Sequence, residues 1–186
     1  MDSISVAPGL LVAMPQLGDP NFERAVVLMV EHNDGGSFGI ILNRPGNIPV
    51  ALVLRGFEIE WTGDPMTRVG FGGPVQTESG WLVHEPIEEK PAEPGTLLVA
   101  PGIALSMSLG MLRRLAADPP ERLRFFMGYA GWGPGQLADE MVQGSWLHAA
   151  ATPELVFETR SDDLWPSALR SIGVDPAALL PSSGIN

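Results

Sequence analysis
Cysteine is absent from the chain, which removes a disulfide framework, a thiolate metal site and a cysteine nucleophile. The absence fits a reducing compartment. Lysine occurs once, at Lys90, and 11 basic residues stand against 22 acidic ones for a net charge of −11. Polyanion binding draws mainly on cationic side chains that release counterions from phosphates, so this balance argues against direct nucleic-acid contact. Long apolar runs are missing too. The uncharged stretch TLLVAPGIALSMSLGML (96–112) is shorter than the ~20 residues a bilayer span needs, and Pro101-Gly102 divides it; it reads as core, with no membrane role. The opening MDSISVAPGLLVAMPQLG has no basic segment and is broken by Pro8 and Pro15. No export signal is therefore expected, and the expected location is cytoplasmic.

What is present belongs to a folded chain: 45% of the 186 residues are apolar, enough for one domain spanning 1–186. Leu10 to Ala13 is a short apolar strand. Ala25 to Glu31 and FGIILN (38–43) flank Asn33-Asp34-Gly35-Gly36, residues that accept positive φ, so the pair reads as a hairpin. Asp19 followed by Pro20 marks one helical turn ahead of it. A short helix is expected in IPVALVLRGF, then a pair of short strands, RVGFGGPV and GWLVHEP, joined through QTESG. TLLVA is a buried strand. A helix from about Ile103 to Ala117 follows from Leu105, Leu109 and Leu112 at i, i+4, i+7. RLRFFMGYA is a strand, PGQLADEMVQ a short helix stopped by Gly144, SWLHAAA a strand and DDLWPSALRSIG an amphipathic helix. The tail PSSGIN is expected to fray. No internal repeat, low-complexity tract or interdomain linker is visible. Strands outnumber helices and hairpin-length turns are common, so the fold class is α+β with a mixed, largely antiparallel, curled or barrel-like sheet.

Four blocks carry a family resemblance: GLLVAMPQLGDPNFERAVVLMVEHNDGGSFGIILNRP, GGPVQTESGWLVH, FFMGYAGWGPGQLADEMVQGSWL and LWPSALRSIG. In order and over nearly the whole chain, they resemble the bacterial AlgH/YqgE family. The resemblance implies an α+β domain whose bifurcated sheet closes into a pseudo-barrel with helices packed around it. It also implies a link to transcriptional regulation, since the family name derives from a proposed role in alginate synthesis. It brings no settled molecular activity.

The stretch GYAGWGPGQLADE (128–140) is the densest motif. Its glycines at 128, 131, 133 and 135 do not form GxGxxG, and no Gly-Lys-Ser/Thr follows. Pro134-Gly135 opens a helix after a strand, where free N–H groups favour anions, yet Asp139 and Glu140 already complement that dipole. The stretch reads first as a strand-to-helix joint with Trp132 as its anchor. It reads second as a binding lip formed by Gly131, Trp132 and Gly133, with Gln136 and Glu140 together on the outer helix face. His32 and His84 each adjoin a glutamate at a strand end, but no HExxH, HxH or HxxE spacing accompanies them and no third ligand is identifiable, so no metal is assigned. His148 has no obvious partner. No GxSxG occurs, and Ser106 and Ser108 are expected inside an apolar helix, bonded back to the preceding turn. No catalytic residue follows. Gly72-Gly73-Pro74 is a bulge or tight turn. Asn43-Arg44-Pro45 ends a strand, where Asn43 can bond a ligand and Arg44 a carboxylate or phosphate. Arg113, Arg114, Arg122 and Arg124 read as a solvated helix end and strand edge.

The expected function is therefore that of a non-enzymatic binding or regulatory protein. It would act through a small ligand or protein partner in a groove formed by the Gly131–Gln136 loop, His32 and His84. Asn43, Gly73 and Glu140 complete the candidate residues, and no cofactor is identified. The alternative is a metal- or phosphate-dependent enzyme using a pocket near His32, His84 and Gln136. No helix-turn-helix pattern is legible, so a regulatory role would be indirect.

Overall fold
A computed structural model describes residues 6–87 and 95–180; Lys90 and the tail expected to fray lie outside them. Its strands are β1 (Gly9–Ala13), β2 (Val26–Asn33), β3 (Gly36–Ile41), β4 (Gly70–Phe71), β5 (Val75–His84), β6 (Thr96–Ala100), β7 (Ile103–Ser106), β8 (Leu123–Trp132) and β9 (Trp146–Ala149). The helices are α1 (Val50–Arg55), α2 (Leu109–Ala117), α3 (Gln136–Val142) and α4 (Ser161–Ser171). The strands form one sheet in the order β6-β7-β5-β8-β3-β2-β1-β9, with β4 beside β8. Every pairing is antiparallel except β4 with β8. The result is the expected α+β class: a curled sheet forming a half-barrel with helices against it.

The central strands are covered on both faces, which is why they read as unbroken apolar runs rather than alternations. Leu10, Val12, Val26 and Leu28 pack with Leu164, Trp165 and Leu169 of α4. Their neighbours Leu11, Ala13, Val27 and Met29 turn the other way, toward Trp132, Leu137 and Trp146. A third cluster seats α1 and α2 on β5 and β8 through Val50, Leu54, Leu82, Met111, Leu115 and Phe125. The β2–β3 hairpin forms where expected, and the Asn33 side chain accepts from the Gly35 N–H at 2.8 Å to close its turn. Asp19 likewise caps the turn at Pro20–Phe22.

Four expectations are corrected. RVGFGGPV and GWLVHEP are not strand partners. β5 lies along one edge of β8, while β4 and then β3 occupy the other. QTESG is not a connecting turn but part of β5, where the register jumps between Val75 and Gly80 and Gln76 takes a φ of 43°. The helix placed from Ile103 begins only at Leu109. Gly102, at φ 78°, turns the chain tightly, and Leu105 pairs with Leu97 on one side and Val83 on the other. Short apolar runs fit either period, and here strand pairing wins. Ser106 therefore sits on β7, and Ser108 is the helix cap, accepting from the Met111 N–H at 3.1 Å. Arg124 is not solvated either. It donates to the carbonyls of Leu42 and Val156 and lies 4.8 Å from the Phe126 ring centre, and burial pushes its pKa down to about 10.

Candidate ligand-binding site
The sheet splits along β8. From Leu123 to Met127 this strand is paired with β5; at Tyr129 the extra residues of β5 bulge away, and beyond it β3 takes over at Ala130–Trp132. Gly128 marks the change with a φ of 78°. A cleft of about 620 Å³ opens between the diverging β3 and β5, within the size range of small-molecule sites.

Four aromatic side chains line the cleft, and three of them meet in its wall: Phe38 of β3, Trp81 of β5 and Tyr129 of β8. Their ring centres lie 5.7 Å (Phe38–Tyr129), 5.8 Å (Phe38–Trp81) and 6.0 Å (Trp81–Tyr129) apart. These are the tilted and edge-to-face contacts aromatic rings favour. Glu31, Asn33, Ser37 and Gln76 supply a polar rim. Asn33 donates to the Glu31 carboxylate at 2.6 Å, and His32 Nδ1 lies 2.5 Å from Ser37 Oγ. Trp81 is 8% exposed, and among the described residues its indole N–H is the buried side-chain polar atom without a hydrogen-bond partner. The same side chain also borders a smaller apolar groove against α1 and α2, about 200 Å³. The cleft thus offers aromatic surfaces and a polar rim that includes the Glu31 carboxylate.

The sequence-derived residues divide into groups. Gly131 and Trp132 line the cleft, and His32 reaches it through Ser37. Gly133, Gln136 and Glu140 are tied to one another. The Gly133 N–H donates to Gln136 Oε1 at 3.1 Å, Gln136 Nε2 donates to Glu140 at 3.2 Å, and Glu140 Oε2 accepts from the indoles of Trp132 (2.9 Å) and Trp146 (2.8 Å). Asn43 holds backbone, accepting from the Val26 N–H and donating to the Arg24 carbonyl. Gly73 lies against the Tyr129 backbone, where a Cβ would come within 2.0 Å of its carbonyl carbon.

His84 does not join the others, which corrects the groove expected from the sequence. It pairs with Leu123 at the start of β8, whereas Ser37, bonded to His32, pairs with Trp132 at the end. At about 3.3 Å per residue these points stand roughly 25–30 Å apart along the strand. The pocket expected near His32, His84 and Gln136 is therefore not assembled. Among the described residues no group of three or more His, Cys, Asp or Glu is placed to hold a metal.

His84 instead anchors a buried chain. Its Nδ1 lies 2.7 Å from the Glu85 carbonyl, an acceptor only, so Nδ1 carries the proton. Nε2 then accepts from Ser106 Oγ at 2.7 Å, and Ser106 accepts from Thr96 Oγ1 at 2.7 Å. A serine does lie beside a histidine, although no local spacing announced it. Ser106 has no exposed surface, so the pair joins β5, β6 and β7 rather than meeting a substrate. Burial pushes the imidazole below its usual 6.5, opposed by the Glu85 carbonyl and then its carboxylate. Below pH 6.5 the unfolded chain accepts a proton that the folded chain refuses. The stabilisation is complete above that value and declines as pH falls toward the folded pKa. A ring-proton NMR titration is expected to show His84 titrating below 6.5, with unfolding midpoints falling over the same window; a value at or above 6.5 contradicts this.

Phe38, Trp81 and Tyr129, the three rings that meet in the cleft wall, are residues that sequence reasoning passed over. Tyr129, the only tyrosine, stood inside the glycine-rich stretch, and that was the available signal. Nothing local linked it to Phe38 or Trp81.

A family model described as AlgH-like matches residues 10–177. The chain belongs to the AlgH-like family. A UPF0301 protein of Myxococcus xanthus is 44% identical, covering 98% of this chain and 99% of the relative. A second, from Ruegeria pomeroyi, is 38% identical over 94% and 96%. Among solved structures, the AlgH protein of Pseudomonas aeruginosa is similar with a TM-score of 0.76 and 31% identity, covering 100% of both chains. Protein DIP2367 of Corynebacterium diphtheriae gives 0.74 and 28%, covering 91% of this chain and 89% of that one. These AlgH-like relatives share the curled-sheet fold, and the family is one of uncharacterised function. Among the described residues no helix is long and apolar enough to cross a membrane.

Proposed function
We propose that this member of the AlgH-like family is a one-domain, cytoplasmic binding protein whose ligand is a small planar molecule held against the wall formed by Phe38, Trp81 and Tyr129. The observation that carries this reading is the meeting of three aromatic rings from three strands in the wall of a cleft of about 620 Å³. The acidic rim at Glu31 favours a neutral or cationic ligand. The role is binding, with the bound state passed to a protein partner. Any regulatory effect on transcription is then indirect, in keeping with the net charge of −11.

The test is thermal unfolding against free nucleobases, nucleosides and aromatic amines. A ligand at 100 times its Kd stabilises by about 2.7 kcal/mol, which raises the midpoint by roughly 5–10 °C for a chain of this size. The shift is expected to disappear in Tyr129→Ala and Phe38→Ala. A flat panel, or a shift unchanged in both variants, overturns the small-ligand reading.

A further inference from the structure
A second cleft, about 550 Å³, lies between the segment before β2 and the flank of α4, and three of the chain's arginines line it: Arg24, Arg44 and Arg170. We propose that it binds a phosphorylated small molecule, with the phosphate held by these three guanidinium groups. The inference is independent of the aromatic cleft.

Arg24 and Arg44 are held in place by local contacts, with Glu23 acting on Arg44 through space. None of the three makes an ion pair among the described residues, whereas Arg122 is bound to Glu158 at 2.5 Å. Arg44 is half-buried and spends one nitrogen on the Glu23 carbonyl. Arg24 adopts a left-handed φ of 52°, unfavourable for any residue with a Cβ. The Asn43 side chain holds it there, bonding the Arg24 carbonyl at 2.8 Å and the Val26 N–H at 2.9 Å. The guanidinium consequently lies 5.4 Å from the Trp165 ring centre. That indole is itself fixed by its bond to the Ala13 carbonyl at 2.8 Å. An arginine stacked on a fixed ring keeps its N–H edge free for a planar fork, the geometry that suits phosphate oxygens. Arg170 shares one face of α4 with Asp162 and Pro166 at four-residue spacing, so it borders the same cleft.

The two carboxylates in the wall narrow the ligand class. Glu23 and Asp162 also line the cleft, and they repel a bare polyanion while accepting hydroxyl or amine donors. The site therefore suits a phosphate monoester on a hydroxylated or amine-bearing body, and disfavours nucleic acid.

Ribose 5-phosphate is the probe, since it has phosphate and hydroxyls but no aromatic ring for the first cleft to stack. Isothermal titration and phosphorus NMR at low ionic strength are expected to show binding that weakens with added salt. Arg170→Gln, an exposed change on a helix, should leave the unfolding midpoint unchanged and weaken binding about tenfold or more, as should Arg24→Gln, through loss of a charge-assisted hydrogen bond. Tyr129→Ala should leave this binding intact while abolishing the aromatic-ligand shift, so the two readings fail separately. No binding of ribose 5-phosphate, affinity unchanged in both arginine variants, or displacement by a short DNA duplex overturns the proposal.

Discussion

Gly128→Ala is expected to lower stability by about 3–5 kcal/mol, or to leave the chain unfolded, as measured by urea denaturation. Two penalties coincide at this position. Its φ of 78° is a left-handed conformation, and an added Cβ would sit 2.2 Å from the Gly73 carbonyl oxygen. Backbone cannot swing aside as a flexible side chain can, so the overlap must be relieved by moving β8 away from the segment joining β4 to β5. Overpacking typically costs 1–3 kcal/mol and an unfavourable φ another 1–3. Against a total stability of roughly 5–15 kcal/mol the sum is severe. Gly110→Ala is the control. An added Cβ there meets nothing within 4 Å, at a position in α2, and alanine favours a helix over glycine by up to ~1 kcal/mol. A neutral Gly128→Ala would mean that the sheet does not divide here as described.

The second large effect is expected at Glu140. Its carboxylate accepts from the indoles of both Trp132 and Trp146, which are 5% and 1% exposed. Glu140→Ala strands two buried N–H donors at about 1–3 kcal/mol each, so a loss of about 2–5 kcal/mol is expected by chemical denaturation. Glu140→Gln retains an acceptor oxygen and should cost only about 1 kcal/mol, the part that depended on charge. Phe22 stacks on Trp132 and meets Trp146 edge-on, so the alanine variant should also alter tryptophan emission. Equal losses in the two variants would show that the indole bonds carry no stability. This network also answers the question raised by the glycine-rich stretch. Gln136 accepts from its own loop at the Gly133 N–H, and Glu140 turns to the indoles of Trp132 and Trp146.

What the sequence made legible was whatever local spacing decides. The β2–β3 hairpin needed only Asn33 to Gly36 between two apolar runs, and α3 needed only Pro134-Gly135 ahead of it and Gly144 behind. The failures lie where long-range pairing overrides a local pattern. Leu105, Leu109 and Leu112 satisfy a helical repeat, but Leu105 is held between Leu97 and Val83 in the sheet. Gln76 to Ser79 look like a turn but continue β5 as a bulge, because β8 draws Val75 to Tyr129. The aromatic cleft was illegible for the same reason. Phe38, Trp81 and Tyr129 come from three strands, and only sheet order makes them neighbours. Ser106 and His84 meet across β5 and β7, 22 residues apart, a separation that no catalytic spacing rule would search.

The pairing of β1 with β9 governs the order in which the protein can mature on the ribosome. The first strand emerges early, but one of its two partners lies near the end of the described chain, and the Ala13 carbonyl is bonded by Trp165, later still. Until those segments are synthesised, β1 and β2 carry apolar residues on two faces with only part of their covering present. Non-local closure of this kind slows folding and leaves intermediates prone to aggregation. The nascent chain must therefore be kept from its neighbours until α4 has cleared the exit tunnel, and a transcript truncated before β9 yields a chain that cannot complete its sheet.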